Sequence, residues 1–232
     1  MNPMLTVARK EIAQLLHSRM SMLSTAFLAI FFAFTAAPAV TMDGGGLAIL
    51  DQLLFSMVPV IGLFAGYIFA SQIFLREKQQ GVIETLLCTP LTVRQLWAGK
   101  VLGVTLLAWA MAMGAAILIV GFSRGSDGVL LLPSAPVIVH LAVAVPLFIV
   151  AGTGLLGLAQ FILGMHQIQI VNVAVIFVLI FLLTLTQQLV NPEAGITWPV
   201  AGASFLAGHA ALGGVWAAGR CLNTERIVTS LP

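Results

Sequence analysis

Charge is what this sequence has least of. Asp, Glu, Lys and Arg make up only 8% of its 232 residues, against about a quarter in a soluble domain. A water-soluble fold of this size must coat its surface with charge, and so few charged residues exclude it. Cysteine is scarce as well: Cys88 and Cys221 are the whole supply, too few and too far apart for a disulfide framework or a zinc site. Also missing are the phosphate loop of nucleotide hydrolases, the HExxH zinc motif, the GxSxG nucleophile elbow and any pair of intramembrane carboxylates. The chain is therefore expected not to be an enzyme and to hold no cofactor of its own. Any uphill work would draw on a partner, and no nucleic acid is expected among its partners.

What is present is apolar length. Hydrophobic residues are 60% of the chain. The stretches without Asp, Glu, Lys or Arg are 20–42, 52–75, 101–123, 128–192 and 194–219. A bilayer core takes about 20 apolar residues per helix, so 128–192 must hold two spans. Its polar break falls at Gly164, His166, Gln167 and Gln169. The expectation is an all-α integral membrane protein, one transmembrane domain over 1–232. Its six spans lie near 20–40, 52–75, 97–122, 136–162, 168–189 and 199–219. In lipid, backbone groups must be satisfied within the segment, which makes these helices.

Charge sets the orientation. With six spans, one side holds Arg9, Lys10, Arg19, Arg76, Lys78, Arg94, Lys100, Arg220 and Arg226, leaving Arg124 alone on the other. The basic side is the cytoplasm by the positive-inside rule, so both termini are expected there, in the plasma (inner) membrane. Cys88 and Cys221 would then be reduced thiols. Residues 1–39 imitate a signal peptide, with Ala37-Pro38-Ala39 as a small-residue site, but Pro38 sits within that site and the segment is long enough to span.

Two segments outside the spans have defined character. In 4–19, Leu5, Ala8, Ile12, Leu15 and Leu16 recur at helical spacing between Arg9, Lys10, Glu11 and Gln14, which reads as an amphipathic helix in the membrane interface. In the loop 76–100, Gly81 can end a helix, Val82, Ile83, Leu86 and Leu87 form an apolar stripe with Glu84 off it, and Pro90 stops the turn. Thr92 and Gln95 match a capping box with Leu91 and Leu96 at the staple positions, so the next helix starts near Val93. The external connections 41–47, 123–136 and 191–199 are too short for an external domain.

Some motifs are weaker than they look. Gly152-Thr153-Gly154-Leu155-Leu156-Gly157 spells the dinucleotide fingerprint, yet it lacks the strand, the βαβ unit and the downstream acid that the fingerprint needs. Small residues in a membrane helix admit another helix closely, and Gly62-xxx-Gly66, Gly99-xxx-Gly103 and Ala210-xxx-Gly214 read the same way. His140 and His209 lie within spans, where ionisable groups are functional candidates by default, with His209 the stronger. Asn172, Thr184, Thr186, Gln187 and Gln188 give the fifth span a polar side that either lines a pathway or joins helices. Candidate pathway residues are Asn172, Thr184, Gln187 and His209. Trp97, Trp109, Trp198 and Trp216 fall mostly near span ends, as interface anchors do.

The loop resembles the signature region of the type-two ABC exporter permeases, whose fold is similar to the membrane half of G-subfamily transporters. The matching residues are Arg76-Glu77-Lys78, Gly81-Val82-Ile83-Glu84-Thr85-Leu86-Leu87, Pro90 and Gly99-Lys100, and Ala8-Arg9-Lys10-Glu11-Ile12 resembles the family's opening helix. The resemblance implies a pathway formed by a permease homodimer, with the second and fifth spans lining it. It also implies a separate ABC ATPase subunit binding ATP and Mg, docked on a coupling helix comprising Gly81, Val82, Ile83, Glu84, Leu86, Leu87 and Pro90. The short 191–199 connection departs from relatives with larger external regions. Alternatives are a permease devoted to maturation of haem or copper enzymes, and a membrane scaffold or sensor that binds an ATPase without passing substrate.

Overall fold

The computed structural model describes residues 3–42, 46–75, 92–123, 129–163, 165–187 and 195–220. Every regular element among them is a helix. They run in the order α1 (Pro3–His17), α2 (Arg19–Met42), α3 (Gly46–Ala70), α4 (Val93–Phe122), α5 (Ala135–Ile162), α6 (Met165–Gln187) and α7 (Trp198–Gly219). Five of these, α2, α3, α4, α5 and α7, are long and apolar enough to cross a membrane, and α6 contains the shorter apolar stretch Ile170–Leu185. This is a multi-pass membrane protein by length and composition.

The centre is the trio α3, α4 and α5, each packed on the other two. α2 leans on α3 and α4, while α6 and α7 lean on α5 and on each other. Phe55 and Phe69 of α3, Ile119 of α4 and Phe148 of α5 are fully buried at the centre. Without a hydrophobic drive between helices in lipid, close approach requires small residues at the contacts, and α5 supplies them. A Cβ on Gly152 would meet Leu63 and Leu179, on Gly154 Val215, and on Gly157 the ring of Phe74. The fingerprint-like run is thus where α3, α6 and α7 all come against α5. Gly62 and Gly66 serve α3 in the same way, against Ile149 and Thr153. Ala210 and Gly214 are exposed, and nothing lies within 4 Å of a Cβ built on Gly214.

α5 carries a π turn at His140–Ala144. Pro146 follows and has no N–H to donate. The Val145 N–H reaches back to the His140 carbonyl rather than to that of Leu141, the α-helical acceptor. The freed Leu141 carbonyl accepts from Trp109 Nε1 of α4 at 3.2 Å. Trp109 therefore does more than anchor at an interface: it completes the backbone of the neighbouring helix. A second π turn, Ser71–Leu75, follows α3.

The helices differ from the expected spans mainly at their ends. α2 runs on to Met42, through Pro38, and α3 starts at Gly46, so Asp51 lies inside a helix instead of before one. Asp51 is buried, and its Oδ1 accepts from the Ser134 N–H at 3.0 Å. That bond ties α3 to the start of α5 and offsets part of the cost of burying a carboxylate.

Candidate functional site at the basic end

The residues expected to contact an ATPase, Gly81, Val82, Ile83, Glu84, Leu86, Leu87 and Pro90, lie outside the described residues. What is described is the frame on either side of them. The loop leaves the π turn at Ser71–Leu75 and returns at Thr92. Thr92 is an extended N-cap with the full capping box: its Oγ1 accepts from the Gln95 N–H at 3.2 Å, and its own N–H donates to Gln95 Oε1 at 3.1 Å. α4 begins at Val93 as its local sequence dictates.

One side of the frame is tied to α1 and the other to Ser18, just after it. Gly99 and Gly103 stand one turn apart on α4, and α1 lies against them. A Cβ on Gly99 would sit 2.9 Å from the Met4 carbonyl oxygen, and one on Gly103 2.9 Å from that of Ala8. The Gly99-xxx-Gly103 pair thus seats a helix of the same chain. Between the two glycines, Lys100 Nζ donates to Glu11 Oε1 at 2.9 Å, with both side chains essentially inaccessible to solvent. The Lys100 ammonium also lies 5.9 Å from the centre of the Phe74 ring, which is part of the π turn. Phe74 in turn meets Phe161 of α5 edge to face at 5.3 Å. On the other flank, Ser18 Oγ donates to Gln72 Oε1 at 3.0 Å.

The buried face of α1 is rotated from the expected one. Val7, Ala8, Glu11 and Leu15 are buried, while Leu5 and Leu16 are more than half exposed. Glu11, counted in the sequence among the polar residues between the apolar ones, faces inward because Lys100 waits there. An unpaired buried carboxylate would be too costly. The sequence signal available was the Lys100 charge itself, eight residues into a helix that goes on to span the membrane.

Of the candidate pathway residues, the described side chains of Asn172, Thr184 and His209 have different surroundings. Asn172 is buried in α6, with its Oδ1 lacking a partner among the described residues. Thr184 lies twelve positions on, about 120° around the helix, exposed and donating to the Ile180 carbonyl at 2.9 Å. The side chain of Gln187 lies outside the described residues. His209 is exposed on α7, with Nδ1 3.0 Å from the Phe205 carbonyl oxygen. His140 is buried and stacks on Phe55 at 4.0 Å between centroids. Among the described residues no three of His, Cys, Asp and Glu gather as metal ligands. No family model matches the chain, and no curated protein does.

Proposed function

We propose that this chain is the permease subunit of an ATP-driven exporter of the type-two ABC kind, working as a homodimer with a separate ATPase subunit. The observation that carries this reading is the frame of the loop 76–91. A connector between two membrane helices needs no anchoring beyond the helices themselves. Here the helix after the loop is fastened to α1 by the buried Glu11–Lys100 pair, and the segment before it is fastened through Gln72 to Ser18, the residue that joins α1 to α2. A push on the loop reaches α3, α4 and α1 together, which is what coupling to a partner's hydrolysis requires. On this reading α6 also crosses the membrane, as the fifth of six spans, both termini are cytoplasmic, and the apolar stripe Val82, Ile83, Leu86 and Leu87 covers itself on the ATPase. Glu84 at its rim sets orientation more than affinity. ATP and Mg belong to the partner.

Leu86→Asp tests the assignment. The variant should insert normally yet lose ATPase association, measured by copurification, and lose transport in vesicles. A variant that inserts, binds the ATPase and transports at the normal rate rules out coupling through 82–88. ATPase association that persists without movement of any substrate would instead make the chain a scaffold.

A further inference from the structure

The end of the molecule that carries Arg94 and Arg220 also carries two adjoining hollows. A groove of 570 Å³ runs between the first turns of α4 and the last turns of α7. Val101 and Leu102 form one wall, Leu212 and Trp216 the other, and Val150 of α5 the floor. That volume is within the range of about 300–1,000 Å³ typical of small-molecule sites. Trp97, Ala98, Trp216 and Met4 of α1 also line a second hollow of 250 Å³, which holds Arg94 and Arg220. The two hollows therefore adjoin and form a slot, lined along its larger part by apolar side chains and His209 and basic at its mouth.

The mouth is organised. The Arg220 guanidinium lies 3.7 Å from the centre of the Trp216 ring. Arg94 Nη2 donates to the Arg220 backbone carbonyl at 3.5 Å, which ties the start of α4 to the end of α7. Among the described residues no carboxylate lines either hollow. Trp97, between them, donates its indole N–H to the Gly154 carbonyl at 3.3 Å, which fixes the depth of the slot.

We infer that this slot binds an anionic glycerophospholipid from the leaflet on the basic side, with an acyl chain along the groove and the phosphate against Arg94 and Arg220. Charge complementarity decides the occupant. Two arginines lining one hollow, with no acid among its described lining residues, call for an anion, and arginine suits phosphate in particular. The adjoining groove is lined, His209 apart, by apolar side chains, so the anion must carry a hydrocarbon tail. Basic pockets between membrane helices are general sites for such headgroups, and tryptophan belongs at the same depth. The inference needs the chain to lie in a membrane and is independent of the transport reading.

Tryptophan fluorescence reads the site directly, because Trp97 and Trp216 line it. The full-length protein is reconstituted in phosphatidylcholine nanodiscs containing a tenth of either brominated phosphatidylglycerol or brominated phosphatidylcholine. The anionic lipid should quench at least twofold more than the neutral one. Arg94→Gln with Arg220→Gln should abolish that difference; both side chains are exposed, so folding is spared. Gly213→Phe is a second variant, because a Cβ there meets nothing within 4 Å and the ring would fill the groove. It should cut quenching by both lipids. Equal quenching by the two lipids in the unmodified protein overturns the inference, as does a difference that survives the double arginine variant. Displacement by millimolar glycerol 3-phosphate would make the site one for a soluble phosphate and equally overturn it. So would disulfide crosslinking of Gly213→Cys between two copies, which would put a second protomer in the groove.

Discussion

Two small-residue pairs in this chain look alike on paper and behave oppositely. Gly99-xxx-Gly103 on α4 is filled by the backbone of α1, close enough that any side chain would collide with a carbonyl. Ala210-xxx-Gly214 on α7 is bare. The same contrast separates the helices as wholes. About half of the spanning length of α3, α4 and α5 is buried, 61%, 44% and 50%, whereas α2 and α7 bury 28% each. Sequence spacing says that a helix can be approached closely; it does not say by what. The α1–α4 seam is specified by something spacing cannot show, a carboxylate and an ammonium that need each other. The bare face of α7 has no such partner among the described residues.

The seam can be broken most severely at its charges. Lys100→Met leaves the buried Glu11 carboxylate with only the exposed Lys10 ammonium, 3.7 Å away, and breaking a buried pair in this way is expected to cost up to about 3–5 kcal/mol. The double variant Glu11→Leu with Lys100→Met should recover most of that loss, because replacing both members of a buried pair with apolar groups is often neutral. Reversible unfolding in mixed micelles measures both. If the single variant is as stable as the unmodified protein, the pair is not what specifies the seam.

Next in size is a direct comparison of the two small-residue pairs. Gly103→Val must displace the Ala8 carbonyl or the Glu11 Cβ, 3.2 Å away, and overpacking of this kind costs about 1–3 kcal/mol. Gly214→Val on the bare face should stay within about 0.5 kcal/mol. α1 should also become more sensitive to protease in the first variant and not in the second. A Gly214→Val protein that is destabilised as much as Gly103→Val would show that another copy covers α7. Of similar size is the effect at the π turn of α5: Trp109→Phe strands the Leu141 carbonyl and should cost about 1–3 kcal/mol, visible as faster hydrogen exchange in α5.

How much of this was legible in the sequence depends on the solvent. The charge-free runs, with 128–192 split at its polar break, locate α2, α3, α4, α5 and α7 with starts up to eight residues off, because a bilayer fixes helix length. Packing was far less legible, since a membrane helix is apolar on its lipid face as well as its buried face. Amphipathic periodicity, the usual guide to a core, fades there. Hence Asn172 and Thr184, which look like one polar side, point to different surroundings, and Leu5 and Leu16 of α1 turn outward while Glu11 turns in. The π turn was hidden for another reason: Pro146 announces a disturbed helix, but the compensating donor, Trp109, comes from α4. The loop 76–91 was the reverse case, rich in sequence signals and outside the described residues.

The smallest expected effect lies where local sequence alone was sufficient. The Thr92 cap uses only residues three apart, so its geometry owes nothing to the seam or to the central trio. Thr92→Ala removes one acceptor from the first turn of α4 and should cost about 1 kcal/mol. The loss should stay confined to that turn. Hydrogen exchange at the amide of Gln95, which donates to Thr92 Oγ1, should accelerate about fivefold, a 1 kcal/mol change in local opening expressed as a rate. Exchange in the turn holding Lys100 should not change, because the Glu11 pair fixes α4 there independently. If exchange at Lys100 rises in step with that at Gln95, cap and seam form one cooperative unit, and the loop's return end is held less firmly than two independent ties would hold it. Exchange confined to the first turn would leave the seam as the rigid element and the cap as the hinge through which the loop acts on it.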